Sequence, residues 1–151
     1  MTRDLDHVEF VHTAGMDPEE VEERMREAQV GVLGLADGTE AYAIPVAFQF
    51  LEDRVCFRLS RVDGSRKMSF IETTDRATLV VYGFDSPHDS WSVLIEGPIR
   101  VLSDEESERF DDAMINEWFA QLRVFDEPID EIELVLVELE IETITGRATL
   151  E

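Results

Sequence analysis

Residues 41–50 read Ala41-Tyr42-Ala43-Ile44-Pro45-Val46-Ala47-Phe48-Gln49-Phe50. Large apolar side chains occupy every even position, and small or polar residues every odd one. That period of two is what a β-strand with one buried face imposes. Tyr42, Ile44, Val46, Phe48 and Phe50 are therefore predicted to face a core. The opposite face is a strip of Ala and Pro, which either packs on a neighbouring element or lets a flat ligand approach the backbone. Pro45 has no N–H to donate, so the strand must have a bulge or a free edge beside it.

The flanking sequence extends the same pattern in both directions. Val8–Val11 reads as a short strand. Val30–Ala36 reads as another, closed by the turn Asp37-Gly38. Val55, Phe57 and Leu59 alternate with Cys56, Arg58 and Ser60, and Asp63-Gly64 follows as a turn. Arg76–Gly83 is a β-rich strand, and 84–90 reads as a loop around Pro87. Trp91–Val101 alternates along one long strand, with Gly97-Pro98 marking a bulge or a close backbone approach. In 131–145 the apolar positions switch from even (Ile132, Leu134, Leu136) to odd (Val135, Val137, Leu139, Ile141), as expected where a strand leaves one contact and enters another.

Helices are predicted where caps precede a period of about four. Asp17-Pro18-Glu19-Glu20 offers a cap, a proline at the first helical position and a capping box, opening a helix to about Ala28. Ser65 caps a short helix to Thr73. Ser103-Asp104-Glu105-Glu106 is a second capping box. The helix after it carries Phe110, Met114, Trp118 and Leu122 on one stripe, with Ile115 and Phe119 beside them. Some six strands with antiparallel turns and few helices predict a mainly β (α+β) fold, a small antiparallel β-barrel. The 151 residues fit a single domain spanning 1–151.

Charge is the chain's most unusual property. Its net value is −22, against a magnitude of roughly 2–8 for most small soluble domains. The acids are spread along the whole sequence. Such self-repulsion matters little in concentrated salt, where the Debye length falls to about 3 Å at 1 M. A halophilic source with a salt-rich cytoplasm is the expectation. Nucleic-acid binding is not expected, because neutralising phosphates needs many cations. A single cysteine, Cys56, excludes an internal disulfide, and His7, His12 and His88 have no metal-ligand spacing, so no metal site is expected. No apolar run approaches the roughly 20 residues that cross a bilayer, and residues 1–4 do not begin a signal peptide. The protein is read as cytoplasmic, with no membrane partner.

Against that acidic background stands one positive island. Between Arg54 and Ile71 there are Arg54, Arg58, Arg61, Arg66 and Lys67, with Asp63 the lone acid. Lys67 is the only lysine in the chain. Arg66 and Lys67 fall in the first turn of a predicted helix, where each exposed cation opposes the macrodipole at a cost of roughly 0.3–1 kcal/mol. A phosphate at that terminus would reverse the sign of the effect. Otherwise the two cations pair with nearby acids on a crowded surface.

The segments Val32–Ala36, Ala43–Phe48, Val55–Ser60, Gly64–Lys67 and Trp91–Gly97, in that order and spacing, resemble the pyridoxamine 5′-phosphate oxidase-like family, the FMN-binding split barrels. The resemblance covers about residues 16–105. It implies a six-stranded split barrel with short flanking helices, and a homodimer holding two FMN molecules at its interface. It implies that Arg58, Leu59, Ser60, Ser65, Arg66 and Lys67 lie at the phosphate-binding segments. Ala43, Ile44, Pro45 and Val46 would run past the flavin ring, and Trp91 and Ser92 would reach FMN from the second subunit. The C-terminal stretch Ile144–Glu151 lacks the Arg-x-His segment that serves the pyridoxal substrate in true pyridoxamine phosphate oxidases. Vitamin B6 oxidation is therefore not expected.

The functional expectation is an FMN-dependent oxidoreductase of unknown substrate. No side chain presents itself as an essential acid or base. The alternatives are an F420- or haem-binding relative, or a non-catalytic flavin-binding or dimeric scaffold protein. Trp118 and Phe119 would either cover the ring or belong to the core.

Overall fold

The structure, a computed structural model, describes residues 12–61, 65–108 and 133–150. In chain order the elements are β1 (Thr13–Gly15), α1 (Pro18–Glu27), β2 (Val30–Asp37), β3 (Glu40–Phe50), β4 (Arg54–Arg61) and α2 (Arg66–Thr73). Then come β5 (Ala77–Ser86), β6 (Asp89–Gly97), β7 (Ile99–Val101), α3 (Asp104–Ser107), β8 (Glu133–Glu140) and β9 (Thr143–Thr149). The strands pair in the order β1-β9-β6-β5-β2-β3-β4-β8-β7, all antiparallel.

The mainly β split-barrel class predicted from sequence holds, with nine described strands in place of six. The extra strands have specific causes. The expected strand 91–101 breaks at Pro98 into β6 and β7. The expected strand 131–145 breaks at Ile141-Glu142 into β8 and β9. β1 is an additional edge strand. Both breaks occur where the chain passes from one half of the barrel to the other. The hydrogen bonds Glu140 N–H to Pro98 O and Glu142 N–H to Glu96 O, each 3.0 Å, stitch the two crossing chains together. Gly97 sits at that crossing: a Cβ there would overlap the carbonyl oxygen of Glu140.

β3 behaves as its alternation predicts. Val46, Phe48 and Phe50 are buried and Tyr42 and Ile44 half-buried, while Ala41, Ala43 and Pro45 are exposed. Phe48 and Phe57 face each other across β3 and β4 inside the core, with Leu33, Leu79, Ile95, Val137 and Leu139 around them. Burying each such side chain contributes roughly 1.5–3 kcal/mol. β3 pairs with β4 only through Phe48–Phe50. Among the described residues its first eight positions have a strand on the β2 side alone. Phe48 N–H bonds back to Gln29 O on that side. Three residues earlier, alternation turns Pro45 nitrogen to the opposite, free edge, where no donor is missed.

Several local expectations are corrected. The segment 84–90 is not an open loop: β5 and β6 continue through it into a tight hairpin at Pro87-His88. In β8 the buried face does not switch. Val135, Val137 and Leu139 face the core, and Leu136 on the other face is covered by Cys56 and Leu102. Asp17 does occupy the N-cap of α1, but its side chain makes no capping hydrogen bond. Glu19 and Glu20 already place carboxylates in that first turn, and a third oxygen anion there meets like charge. The Ser103–Glu106 capping box forms in full. Val8–Val11 and the helix stripe Phe110–Leu122, including Trp118 and Phe119, lie outside the described residues. No helix among the described residues is long and apolar enough to cross a membrane.

Candidate functional site

The end of β4 and the start of α2 meet at one corner of the barrel. α2 is positioned from inside, because Met68, Phe70 and Ile71 are buried in the main core. Ser65 is its N-cap, accepting the Met68 N–H at 3.5 Å. This leaves Arg66 and Lys67 in the first turn, with no acid beside them.

The two cations are held in different ways. Lys67 is half-buried and donates from Nζ to Ser60 Oγ on β4 at 3.1 Å. Burial holds its pKa below the usual lysine value, because a charged ammonium loses hydration there without regaining it from an anion. Arg66 is exposed, and its guanidinium lies over the rings of Tyr42 (5.1 Å) and Phe70 (5.5 Å). Those rings stack on each other at 5.0 Å between centroids. Tyr42 belongs to β3 and Phe70 to α2, so this stack ties the helix to the free-edged part of β3.

Carboxylates are plentiful, yet neither cation has one among the described residues. Among the described residues Arg26 pairs with Glu22, Arg54 with Glu138, Arg76 with Glu142 and Arg100 with Glu106. Arg24 lies over the Trp91 ring at 5.1 Å, and Arg147 bonds to Thr13. Lys67 combines substantial burial with a hydroxyl as its partner. The chemistry of this corner is a desolvated ammonium, two serine hydroxyls and a nearby guanidinium, a donor set for an oxyanion.

The structure thus brings Ser60, Ser65 and Lys67 together. Arg58 shares the outward face of β4 with Ser60, two residues apart and opposite Leu136. Leu59 points the other way, into the core, so only its backbone is available to a ligand. Ala43 and Pro45 present an exposed small-residue strip along β3, one residue beyond Tyr42, with Ile44 half-buried between them and Val46 buried after them. Trp91 and Ser92 are not part of this corner. They lie on β6, which β5 and β2 separate from β3, roughly 14 Å away at the usual strand spacing. Trp91 instead packs beneath Arg24 and against Gly83, where a Cβ would meet the indole.

In the sequence, Tyr42 and Phe70 are simply apolar side chains of a strand and of a short helix. Their role in holding Arg66 depends on a contact between β3 and α2 that no local pattern encodes. A separate groove of about 680 Å³ opens between α1, β1 and β9, lined by Met16, Val21, Phe50 and Ile144 among others. It contains none of the sequence-predicted site residues. No cluster of three or more His, Cys, Asp or Glu placed to hold a metal occurs among the described residues.

Comparison with known proteins gives this corner a context. The sequence model of the family described as pyridoxamine 5′-phosphate oxidase matches residues 17–148. No curated protein matches the chain significantly. Among solved structures, an FAD-binding protein from Mesorhizobium loti superposes with a TM-score of 0.68 at 14% identity, covering 90% of this chain and 97% of its own. An FAD-binding protein from Mycobacterium smegmatis gives 0.65 at 18% identity, covering 91% and 100%. An FAD- and haem-binding protein from the same organism gives 0.68 at 16% identity, covering 92% and 74%. At these identities the likeness is one of fold.

Proposed function

The chain belongs to the pyridoxamine 5′-phosphate oxidase family, and on that premise we propose that it is a flavin-binding protein, an FMN-dependent oxidoreductase of undefined substrate. The observation that carries this reading is Lys67: a half-buried cation, bonded to Ser60 and without a carboxylate among the described residues. A phosphate would supply the missing counter-charge. Ser60, Ser65 and Lys67 would hold it, with Arg58 beside them on β4. The exposed strip Ala43–Pro45 would admit the isoalloxazine ring against the backbone of β3. When bound, the flavin supplies hydride chemistry; the protein orients it and excludes water.

A second copy of the chain completes the reading. The outer face formed by β2, β3, β5 and β6 exposes Val30, Tyr82, Phe84 and Leu94. In register on that face lie Val32 with Pro45, Gly34 with Ala43, and Val80 with Leu94. A contiguous apolar face is where chains of net charge −22 can associate with least repulsion. A homodimer through this face would bring Ser92, which lies on it, and the β6 backbone at Trp91 of one protomer toward the ring held by the other. The charge itself fits a salt-rich cytoplasm.

The test is direct. The protein is purified in molar salt, its visible spectrum recorded and any co-purified small molecule identified by mass spectrometry. Oxidised-flavin absorbance that NAD(P)H bleaches supports the oxidoreductase. Bound flavin that does not bleach identifies a carrier or sensor. F420 in place of FMN would keep the phosphate site and change the cofactor. A colourless protein that takes up no added flavin refutes the reading.

A further inference from the structure

Independently of the flavin reading, we propose that the free edge of β9 is a docking site for an extended, basic segment of a partner protein, which joins the sheet as a short strand. The backbone directions carry the argument. Leu150 N–H bonds to His12 O, and Met16 N–H to Gly146 O. The even residues of β9 therefore turn their N–H and C=O toward β1. The odd residues turn theirs toward β6, where Arg147 faces Ser92 and Thr145 faces Leu94. β1 pairs only with residues 147–149, and after Met16 the chain leaves the sheet for α1. Ile144 is the next even residue. Its N–H and C=O point to a side that no strand occupies among the described residues.

The groove of about 680 Å³ lies at this edge, lined by Ile144, Met16, Val21, Phe50 and Ile141 among others. Ile144 is 37% exposed there. Gly146 lets α1 come close enough to form a wall: a Cβ at that position would lie 2.8 Å from Val21 Cγ2 and 3.0 Å from Met16 Sδ. An unpaired N–H and C=O beside apolar walls suit an extended peptide, whose main chain bonds to the edge while alternate side chains enter the groove. Charge selects the partner. Glu52 lines the groove, and Asp17, Glu19 and Glu20 stand at the start of α1, beside the lining residues Met16 and Pro18. None of these four acids pairs with a cation among the described residues. Glu22, also on the lining, is taken by Arg26, and the lining cation Arg147 bonds to Thr13. A second copy of this chain, at net charge −22, would bring acids against acids, whereas a basic segment meets them with opposite charge. In molar salt the Debye length is about 3 Å, so these charges act at contact and not as a long-range field.

The experiment follows amide hydrogen exchange and chemical shifts by NMR in the full chain, in molar salt. The probe is the peptide Arg-Val-Arg-Val-Arg, capped at both ends. In the free protein the Ile144 amide is expected to exchange at least about tenfold faster than that of Thr145, which the β6 ladder protects. Saturating peptide should slow Ile144 at least about fivefold and leave Thr145 unchanged. The same peptide with glutamate in place of arginine should bind at least about threefold more weakly. A fully N-methylated copy keeps the side chains and charge, lacks the N–H donors, and should not bind. Ile144→Pro, checked for native circular dichroism, removes the N–H on the free side and none from the β6 ladder. It should weaken the peptide at least about threefold. Protection of Ile144 in the free protein would overturn the proposal, because the chain itself or a second copy would then fill the edge. Failure of the peptide to slow Ile144, equal affinity for the acidic or the N-methylated peptide, or unchanged affinity in Ile144→Pro would each overturn it as well.

Discussion

Replacing Gly97 with alanine attacks the point where the barrel closes. An added Cβ would overlap the Glu140 carbonyl oxygen, while lying 2.9 Å from its carbon and 3.3 Å from Glu142 nitrogen. Carbon atoms in contact prefer about 3.5–4.0 Å, so the two chains must separate by roughly 0.6 Å or more at the carbon alone. Both neighbours are backbone, so no flexible side chain can absorb the shift. The hydrogen bonds at risk are Glu140 N–H to Pro98 O and Glu142 N–H to Glu96 O, worth about 1 kcal/mol each. Overpacking adds roughly 1–3 kcal/mol. The expected loss is about 3–5 kcal/mol, a large part of the roughly 5–15 kcal/mol that holds a domain together. At this chain length the Tm should fall by roughly 10 °C. Urea denaturation at fixed salt and protein concentration measures it. Gly15→Ala is the control, since nothing lies within 4 Å of a Cβ there, and it should change stability by less than about 0.5 kcal/mol. A loss below about 1 kcal/mol for Gly97→Ala would refute the close crossing of β6–β7 with β8–β9.

Burial pushes the Cys56 thiol up to about 11, with Arg54 opposing the shift and Glu138 and Asp53 adding to it. At pH 8 it should therefore react with a disulfide reagent far more slowly in the native protein than after unfolding; equal rates would contradict its burial. The Arg100 side chain, helped by the Ser103 backbone N–H, holds the Glu106 carboxyl down at about 2, from an ordinary 4.5. The sign follows: this carboxylate supports the fold above about pH 4.5, and its support is lost as pH falls from there toward 2. NMR titration should show that low midpoint, and Arg100→Gln should return it toward the ordinary carboxylate range.

What could be read from the sequence was local. The alternation at 41–50 defined β3 and the exposed strip, because period-two burial depends only on neighbours in the chain. The Ser65 and Ser103 caps formed for the same reason: the capping hydroxyl and the backbone N–H that donates to it are three residues apart. Gly97-Pro98 announced a close approach without naming Glu140 as the chain approached. What escaped was set by distant contacts. The Arg66–Tyr42–Phe70 stack joins residues from two elements, and the Arg24–Trp91 contact joins α1 to β6. The hairpin at 84–90 was hidden because Pro87 reads as a loop and Phe84 is apolar yet exposed, which breaks the rule by which strands are recognised. At the candidate site the composition pointed to Lys67. Its desolvation and its bond to Ser60 needed the tertiary structure.

The central claim is that Lys67 is a phosphate ligand. It is tested most directly by the affinities of Lys67→Met for FMN and for riboflavin, which lacks the phosphate. Loss of one charge-assisted contact, roughly 1.5–3 kcal/mol, should weaken FMN by about 10- to 100-fold and leave riboflavin binding unchanged. Unchanged FMN affinity, or an equal loss for riboflavin, would contradict the account.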